Sequence, residues 1–211
     1  MPTLEERIAR LEAESQIRQL VARYCFTIDD RDIEGIRALF APDAVLKSAD
    51  GVMNATGVDA IMTQYDGRFD VLGPGHHFMH DVQIDFVDNG SQEATGRVIG
   101  HAELWRGGRM MVTAIRYDDK YRNTEAGWKF AERTIGFLYY VPIEEYPNIL
   151  ATPLRNHAYA EPKPADFPER LPTWIAYEKA RGGGKRATSP ACPIHEGPAG
   201  LTRSSLPLPR E

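Results

Sequence analysis

The sequence predicts an α+β fold, in which a curved antiparallel sheet packs on N-terminal helices and forms a cone. Apolar residues recur every three or four positions through the first 40 residues, which is the period of an amphipathic helix. From residue 77 to residue 141 the period changes to two, which is typical of half-buried strands. Helices followed by a run of hairpins indicate the α+β class, and a sheet curled over helices encloses an apolar pocket.

Three helices are predicted before the sheet. The first has an apolar stripe that ends at Asp29, and the second is capped by Asp30 or Asp32. A short strand over 44–48 follows, and the third helix runs from Val58 to residue 65 or 69. The stripe of the first helix consists of Leu4, Ile8, Leu11, Ile17, Leu20, Val21, Tyr24, Cys25 and Ile28.

Four strand-like runs make up the predicted meander. They are separated by turn signals: Asn89-Gly90, Gly107-Gly108 and the segment RNTEAG. The runs cover residues 77–88, 93–105, 109–121 and 128–141.

The composition divides the chain into three parts. Residues 1–141 form the α+β domain. Residues 142–180 are rich in proline and aromatic residues, and we expect them to pack on the domain or on a neighbouring subunit, with a short helix over 173–181 that could close the pocket. Residues 181–211 are rich in Gly, Pro and Ser, which predicts a disordered tail.

Charge and composition argue against nucleic-acid-binding, membrane-spanning, disulfide-rich and zinc-binding proteins. The net charge of −5 argues against a nucleic-acid surface. No apolar run reaches the ~20 residues of a membrane span, and the charged N-terminus is unlike a signal peptide, so we expect a cytoplasmic protein without membrane contact. Two cysteines without CxxC spacing predict neither disulfides nor zinc.

Asp29 and His77 are candidates for proton transfer. The row of Val21, Cys25 and Asp29 is apolar until it ends in a carboxylate, and a carboxylate that faces the core needs a partner. The stretch GPGHHFMHD begins the first long strand. Strand alternation places His76 and His80 on one face and His77 on the other. From the residues alone, Asp29 could equally be a solvated cap and His77 a structural histidine.

Arg133 and His101 lie on other strands. Arg133 alternates with apolar residues, so it needs an anionic partner, either a side chain or a charge that develops in a reaction. His101 shares a face with Ile99 and Trp105. The opposite face of that strand is built from small residues that would leave room for a ligand: Gly96, Val98, Gly100 and Ala102. By this alternation His101 points away from the pocket.

Three segments together resemble the SnoaL-like branch of the nuclear transport factor 2-like superfamily, which has a cystatin-like α+β barrel fold. The segments are QIRQLVARYCFTIDDRDIEGIRALFAPDAVL, GHHFMHDVQIDF and RYDDKYRNTEAGWKFAERTI. The resemblance covers roughly residues 5–141. The chain is most similar to enzymes of the family: hexachlorocyclohexane dehydrochlorinase, scytalone dehydratase and the lignin diarylpropane lyases. The resemblance to these enzymes implies a reaction without a metal or organic cofactor.

The resemblance implies a role for several residues. Asp29 and His77 match the Asp–His base pair of the dehydrochlorinase and the dehydratase. Arg133 matches a pocket arginine, and His101 matches a second histidine of the dehydratase. Tyr24 stands where the dehydrochlorinase has a lysine. The expected catalytic residues are thus His77, Asp29, Arg133 and Tyr24, and the expected substrate-binding residues are Tyr117, Thr113, Phe137 and His101.

The function expected on this basis is that of a cofactor-independent lyase. The substrate would be a hydrophobic, hydroxylated aromatic compound, and the reaction a dehydration or an aldehyde-releasing C–C cleavage of the lignin-dimer type. Two alternatives are a non-catalytic binder of a hydrophobic metabolite and an isomerase like ketosteroid isomerase. We also expect a homodimer or homotrimer that forms through the outer face of the sheet, where Ile99 and Trp105 lie.

Overall fold

The predicted α+β class is confirmed by a computed structural model, which describes residues 2–87 and 92–182. Six strands form one curved, unclosed sheet in the order β2-β1-β6-β5-β4-β3. Three helices precede or interrupt its first strands, and an extension follows its last strand. In chain order, the elements are α1 (Leu4–Asp29), α2 (Ile33–Leu39), β1 (Phe40–Ser48), β2 (Asn54–Thr56), α3 (Val58–Phe69), β3 (Leu72–Phe86), β4 (Glu93–Arg106), β5 (Arg109–Thr124), β6 (Gly127–Pro142), a 3-10 helix (Ile143–Ala151) and α4 (Pro172–Ala180).

Helix α1 begins with a capping box and ends at Asp29, the carboxylate that was expected to need a partner. The Thr3 hydroxyl accepts a hydrogen bond from the backbone N–H of Glu6, and the Glu6 carboxylate accepts one from the backbone N–H of Thr3. The second half of the apolar stripe, from Ile17 to Ile28, is buried. Its first half is not: Leu4, Ile8 and Leu11 are exposed.

The sheet differs from the predicted meander at one edge. Strands β3, β4, β5 and β6 pair in antiparallel order, as predicted. Strand β1 begins directly after α2, runs parallel to β6, and pairs with the short β2, which the sequence did not predict. The turn between β4 and β5 is confirmed, with φ of +59° and +78° at Gly107 and Gly108. The predicted Asn89-Gly90 turn lies outside the described residues.

The main core lies between α1 and the concave face of the sheet. Apolar side chains from both layers are buried there and hold the helix against the strands. Among them are Ile17, Leu20 and Val21 from α1, Val98 and Ala102 from β4, Ile115 and Tyr117 from β5, and Phe130 and Ile135 from β6.

The extension lies along β6. The backbone of Tyr140 donates to the Arg155 carbonyl, and the backbone of Asp166 donates to the Phe137 carbonyl. The Arg155 side chain, 2% exposed, donates to the carbonyls of Leu138 and Thr152 and to both carboxylate oxygens of Glu169. No residue of α4 is buried. Of the predicted tail, all but its first two residues lie outside the described part of the chain.

We predict that the hydrogen bonds of Arg155 stabilise the packing of the extension, residues 142–180, on the domain. Arg155→Met should lower the free energy of unfolding by about 2 kcal/mol, because two buried carbonyls lose their donor. Glu169→Gln should cost less than about 1 kcal/mol, since the Glu169 carboxylate is 47% exposed. Urea denaturation of both variants measures the difference. Equal losses would show that the ion pair, rather than the buried guanidinium, holds the segment.

Candidate active site

Asp29 and His77 lie together where the end of α1 meets the start of β3. The Nδ1 atom of His77 is 2.6 Å from Oδ1 of Asp29, and the backbone N–H of His77 donates to Oδ2 at 2.8 Å. Their side chains are 8% and 15% exposed, respectively. The predicted hydrogen bond between the two side chains is therefore confirmed, and both carboxylate oxygens are held.

The geometry fixes the orientation of the His77 ring. Because the carboxylate of Asp29 accepts at Nδ1, the neutral form of the ring has its proton on Nδ1 and its lone pair on Nε2. Nε2 has no hydrogen-bond partner among the described residues, and His77 lines a cavity inside the cone. His76 sits on the other face, as predicted. Its exposed ring places Nδ1 3.2 Å from Oδ2 of Asp29.

The inner cavity has a volume of about 50 Å³ and a largely apolar wall. Five of the eight expected site residues line it: Asp29, His77, Tyr24, Tyr117 and Phe137. Aliphatic and aromatic side chains complete most of the wall, together with two arginines that the sequence analysis missed, Arg31 and Arg68. Arg68 stands three positions after the buried Tyr65. Residues at this spacing lie on the same side of a helix, so the sequence could have predicted that Arg68 is on the inner side of α3.

The tyrosines of the cavity are hydrogen-bond donors rather than bases. Burial, the largest effect, raises the pKa of Tyr65 and of Tyr117 well above the usual range, so both hydroxyls stay protonated. Tyr65 donates to the Tyr24 hydroxyl at 2.9 Å, which leaves the Tyr24 proton free for another acceptor. The Tyr117 hydroxyl has no hydrogen-bond partner within the described part of the chain.

Arg133 does not line the cavity, contrary to expectation. Its guanidinium is fully buried and makes two 2.8 Å hydrogen bonds to the carboxylate of Asp119. Although burial opposes the charged form, Asp119 raises the pKa of Arg133 above its usual range. The rings of Tyr24, Tyr117 and Phe130 surround the guanidinium, each 4.0–4.2 Å from its central carbon. Arg133 therefore supports the cavity wall from behind and does not reach a substrate directly.

His101 and Thr113 also lie away from the cavity. His101 stacks on Phe78 and His80 on the outer face of the sheet, as strand alternation predicts and the resemblance does not. Thr113 is buried, and its hydroxyl donates to the Tyr139 carbonyl. Neither residue is positioned to bind a substrate in the cone.

The space for a ligand that was expected beside the small residues of β4 is occupied by other side chains of the protein. A Cβ atom on Gly96 would come within 2.7 Å of the Tyr121 ring, and one on Gly100 within 2.9 Å of the Met79 sulfur. These glycines allow close packing inside the cone rather than binding of a ligand.

The described residues provide neither a reactive thiol nor a cluster of metal ligands. Burial raises the pKa of the Cys25 thiol to about 11, so this cysteine is not an activated nucleophile. Among residues 2–87 and 92–182, no group of three or more His, Cys, Asp or Glu side chains could hold a metal ion. No helix in the described ranges is long and apolar enough to cross a membrane.

Comparisons with known proteins agree with the fold. A sequence model of the SnoaL-like domain matches residues 9–134. No curated protein matches the chain.

Several solved structures share the fold. A candidate scytalone dehydratase from Novosphingobium aromaticivorans is 22% identical, with a TM-score of 0.59 over 64% of this chain and 91% of that one. The type 3 hexachlorocyclohexane dehydrochlorinase of Novosphingobium barchaimii is 17% identical, with a TM-score of 0.60 over 65% and 94%. A nuclear transport factor 2-like protein with a cystatin-like fold, also from N. aromaticivorans, is 27% identical, with a TM-score of 0.54 over 64% and 88%.

We predict that Arg133 contributes to the stability of the folded domain. Arg133→Met should lower the free energy of unfolding by about 3–5 kcal/mol, because it leaves the Asp119 carboxylate buried without its counter-charge. The double variant Arg133→Met/Asp119→Asn should regain part of this loss, since the buried charge is removed. A double-mutant cycle in urea measures the coupling. Purely additive losses of less than about 1 kcal/mol each would contradict the pairing.

Proposed function

Because the chain belongs to the SnoaL-like domain family, we propose that it is a cofactor-independent lyase that acts on a hydrophobic, hydroxylated aromatic substrate. The observation that carries this proposal is the Asp29–His77 pair, which leaves a free imidazole nitrogen at an apolar cavity. A histidine held in one tautomer by a carboxylate is an effective general base.

The proposed elimination begins when Nε2 of His77 removes a proton from a substrate carbon. The electron pair of the C–H bond forms a C=C bond, and a hydroxyl group leaves from the adjacent carbon as hydroxide. Tyr117, and Tyr24 through its free proton, donate hydrogen bonds to the departing oxygen. The imidazolium then returns its proton to the hydroxide, so that the net loss is water.

The same residues support C–C cleavage. In that reaction Nε2 removes the O–H proton of a substrate hydroxyl group, the C–O bond becomes a C=O bond, and the neighbouring C–C bond breaks to release an aldehyde. The electron pair of the broken bond forms a C=C bond as hydroxide leaves from the next carbon. The imidazolium proton converts the hydroxide to water. Neither reaction needs a metal or an organic cofactor.

We also propose that the chain forms a homodimer or homotrimer through the outer face of the sheet. Phe78, Ile99 and Trp105 are 38%, 41% and 50% exposed on this face. Large apolar side chains that are exposed on one sheet face are typical of interaction surfaces.

The catalytic proposal predicts that activity depends on both members of the pair. With hydroxylated aromatic dimers and polyketide-like phenols as substrates and no added cofactor, His77→Gln should lower kcat by about 10²–10⁴-fold. Asp29→Asn should also lower it strongly, because an amide no longer fixes the tautomer. His80→Gln, on the outer face of the same strand, is the matched control and should keep full activity. Tight binding of these compounds without turnover by the wild type would identify a binder instead.

The assembly proposal predicts a dimer or trimer at micromolar concentration by light scattering. Trp105→Glu combined with Ile99→Asp should shift the mass toward the monomer, because both changes put charge into the apolar face. Phe26→Glu, at an exposed position on α1, is the control and should leave the mass unchanged. A monomeric wild type would refute the assembly.

A further inference from the structure

A second cavity adjoins the inner one, and we call it the vestibule. It has a volume of about 260 Å³, and Arg68, Leu72 and Phe137 line both cavities. The inner cavity of about 50 Å³ is far smaller than the roughly 300 Å³ typical of small-molecule sites. A substrate that reaches His77 with its reacting carbon therefore extends into the vestibule.

The charged side chains that line the vestibule are both arginines. Arg68 comes from the end of α3, and Arg106 comes from the end of β4. Among the described residues that line the vestibule, none is an aspartate or a glutamate. The carboxylate of Asp50 lies behind the wall, where it accepts hydrogen bonds from Ser48 and Tyr159. The vestibule is thus cationic in a chain whose net charge is −5.

Neither arginine has a carboxylate partner among the described residues. Arg68 contacts the Met53 sulfur at 3.6 Å, a weak acceptor. Arg106 is 3.5 Å from the Tyr140 hydroxyl, at the limit of a hydrogen bond. By contrast, the buried guanidinium groups of Arg133 and Arg155 are each paired with a carboxylate. Both vestibule arginines are half-buried, so an anion between them would interact in a medium of lower polarity than water.

We propose that the vestibule binds a carboxylate group of the substrate through Arg68 and Arg106. A guanidinium offers paired N–H donors that match the two oxygens of a carboxylate. With its carboxylate held there, an aromatic substrate would direct its other end past Leu72 and Phe137, which line both cavities, toward His77. This inference rests on the proposed function and deepens it: the substrate class is a hydroxylated aromatic carboxylic acid.

The test is a binding measurement that does not depend on turnover. A panel of hydroxylated aryl carboxylates of one to three rings, each matched with its primary amide, is titrated calorimetrically into wild-type protein. At least one carboxylate should bind about tenfold or more tightly than its amide, and the preference should fall as salt is added. Arg68→Gln and Arg106→Gln should each reduce the preference, and Arg68→Lys should keep part of it.

Two controls separate this proposal from the catalytic one. Arg7→Gln changes the net charge by the same amount at the far end of α1, and it should keep the full preference. His77→Gln should lower turnover by the factor given above and also keep the preference. If no carboxylate of the panel binds more tightly than its amide, the vestibule proposal is wrong even where turnover is found. If the preference is present and depends on the arginines but no compound turns over, the lyase proposal is wrong and the carboxylate site stands.

Discussion

The carboxylate of Asp29 is the constraint on which the site depends. It ends α1, and its two oxygens hold the ring and the backbone of His77 at the start of β3. A buried carboxylate is costly unless donors surround it, and here they come from a strand 48 residues away. The contact that satisfies the charge therefore also joins helix to sheet and sets the orientation of the imidazole. Fold and candidate chemistry share one interaction.

A second buried charge shapes the wall of the cavity. Arg133 and Asp119 neutralise each other inside the cone, and the rings of Tyr24 and Tyr117 lie against the guanidinium. This arrangement holds both rings in the cavity wall. Burial raises the pKa of Tyr117 well above its usual range, so its hydroxyl can donate to a leaving oxygen without competing for the proton that His77 removes. The base and the donors are thus distinct groups on separate elements.

Local patterns predicted much of this architecture because burial imposes a period on a helix or a strand. The same period separated His77 from His76 and His80, placed His101 away from the pocket, and ended an apolar row at Asp29. The partner of Arg133 could not be predicted in this way. Asp119 lies opposite Arg133 in the β5–β6 pair, but a bulge between Lys120 and Tyr121 shifts the register, so the pairing cannot be counted from the turn. The parallel β1–β6 pair and the approach of Arg68 to Arg106 depend on contacts between distant segments, which no local period encodes.

The tautomer of His77 is the most direct test of this account. Nitrogen-15 NMR of the imidazole rings, with the His77 signals assigned by their loss in His77→Gln, reports which ring nitrogen carries the proton. For the neutral ring, the account predicts the proton on Nδ1, hydrogen-bonded to Asp29, and a lone pair on Nε2. It also predicts that this pattern changes in Asp29→Asn. A ring with its proton on Nε2, or a pattern that is unaffected by Asp29→Asn, would contradict the claim that Asp29 prepares His77 as a base.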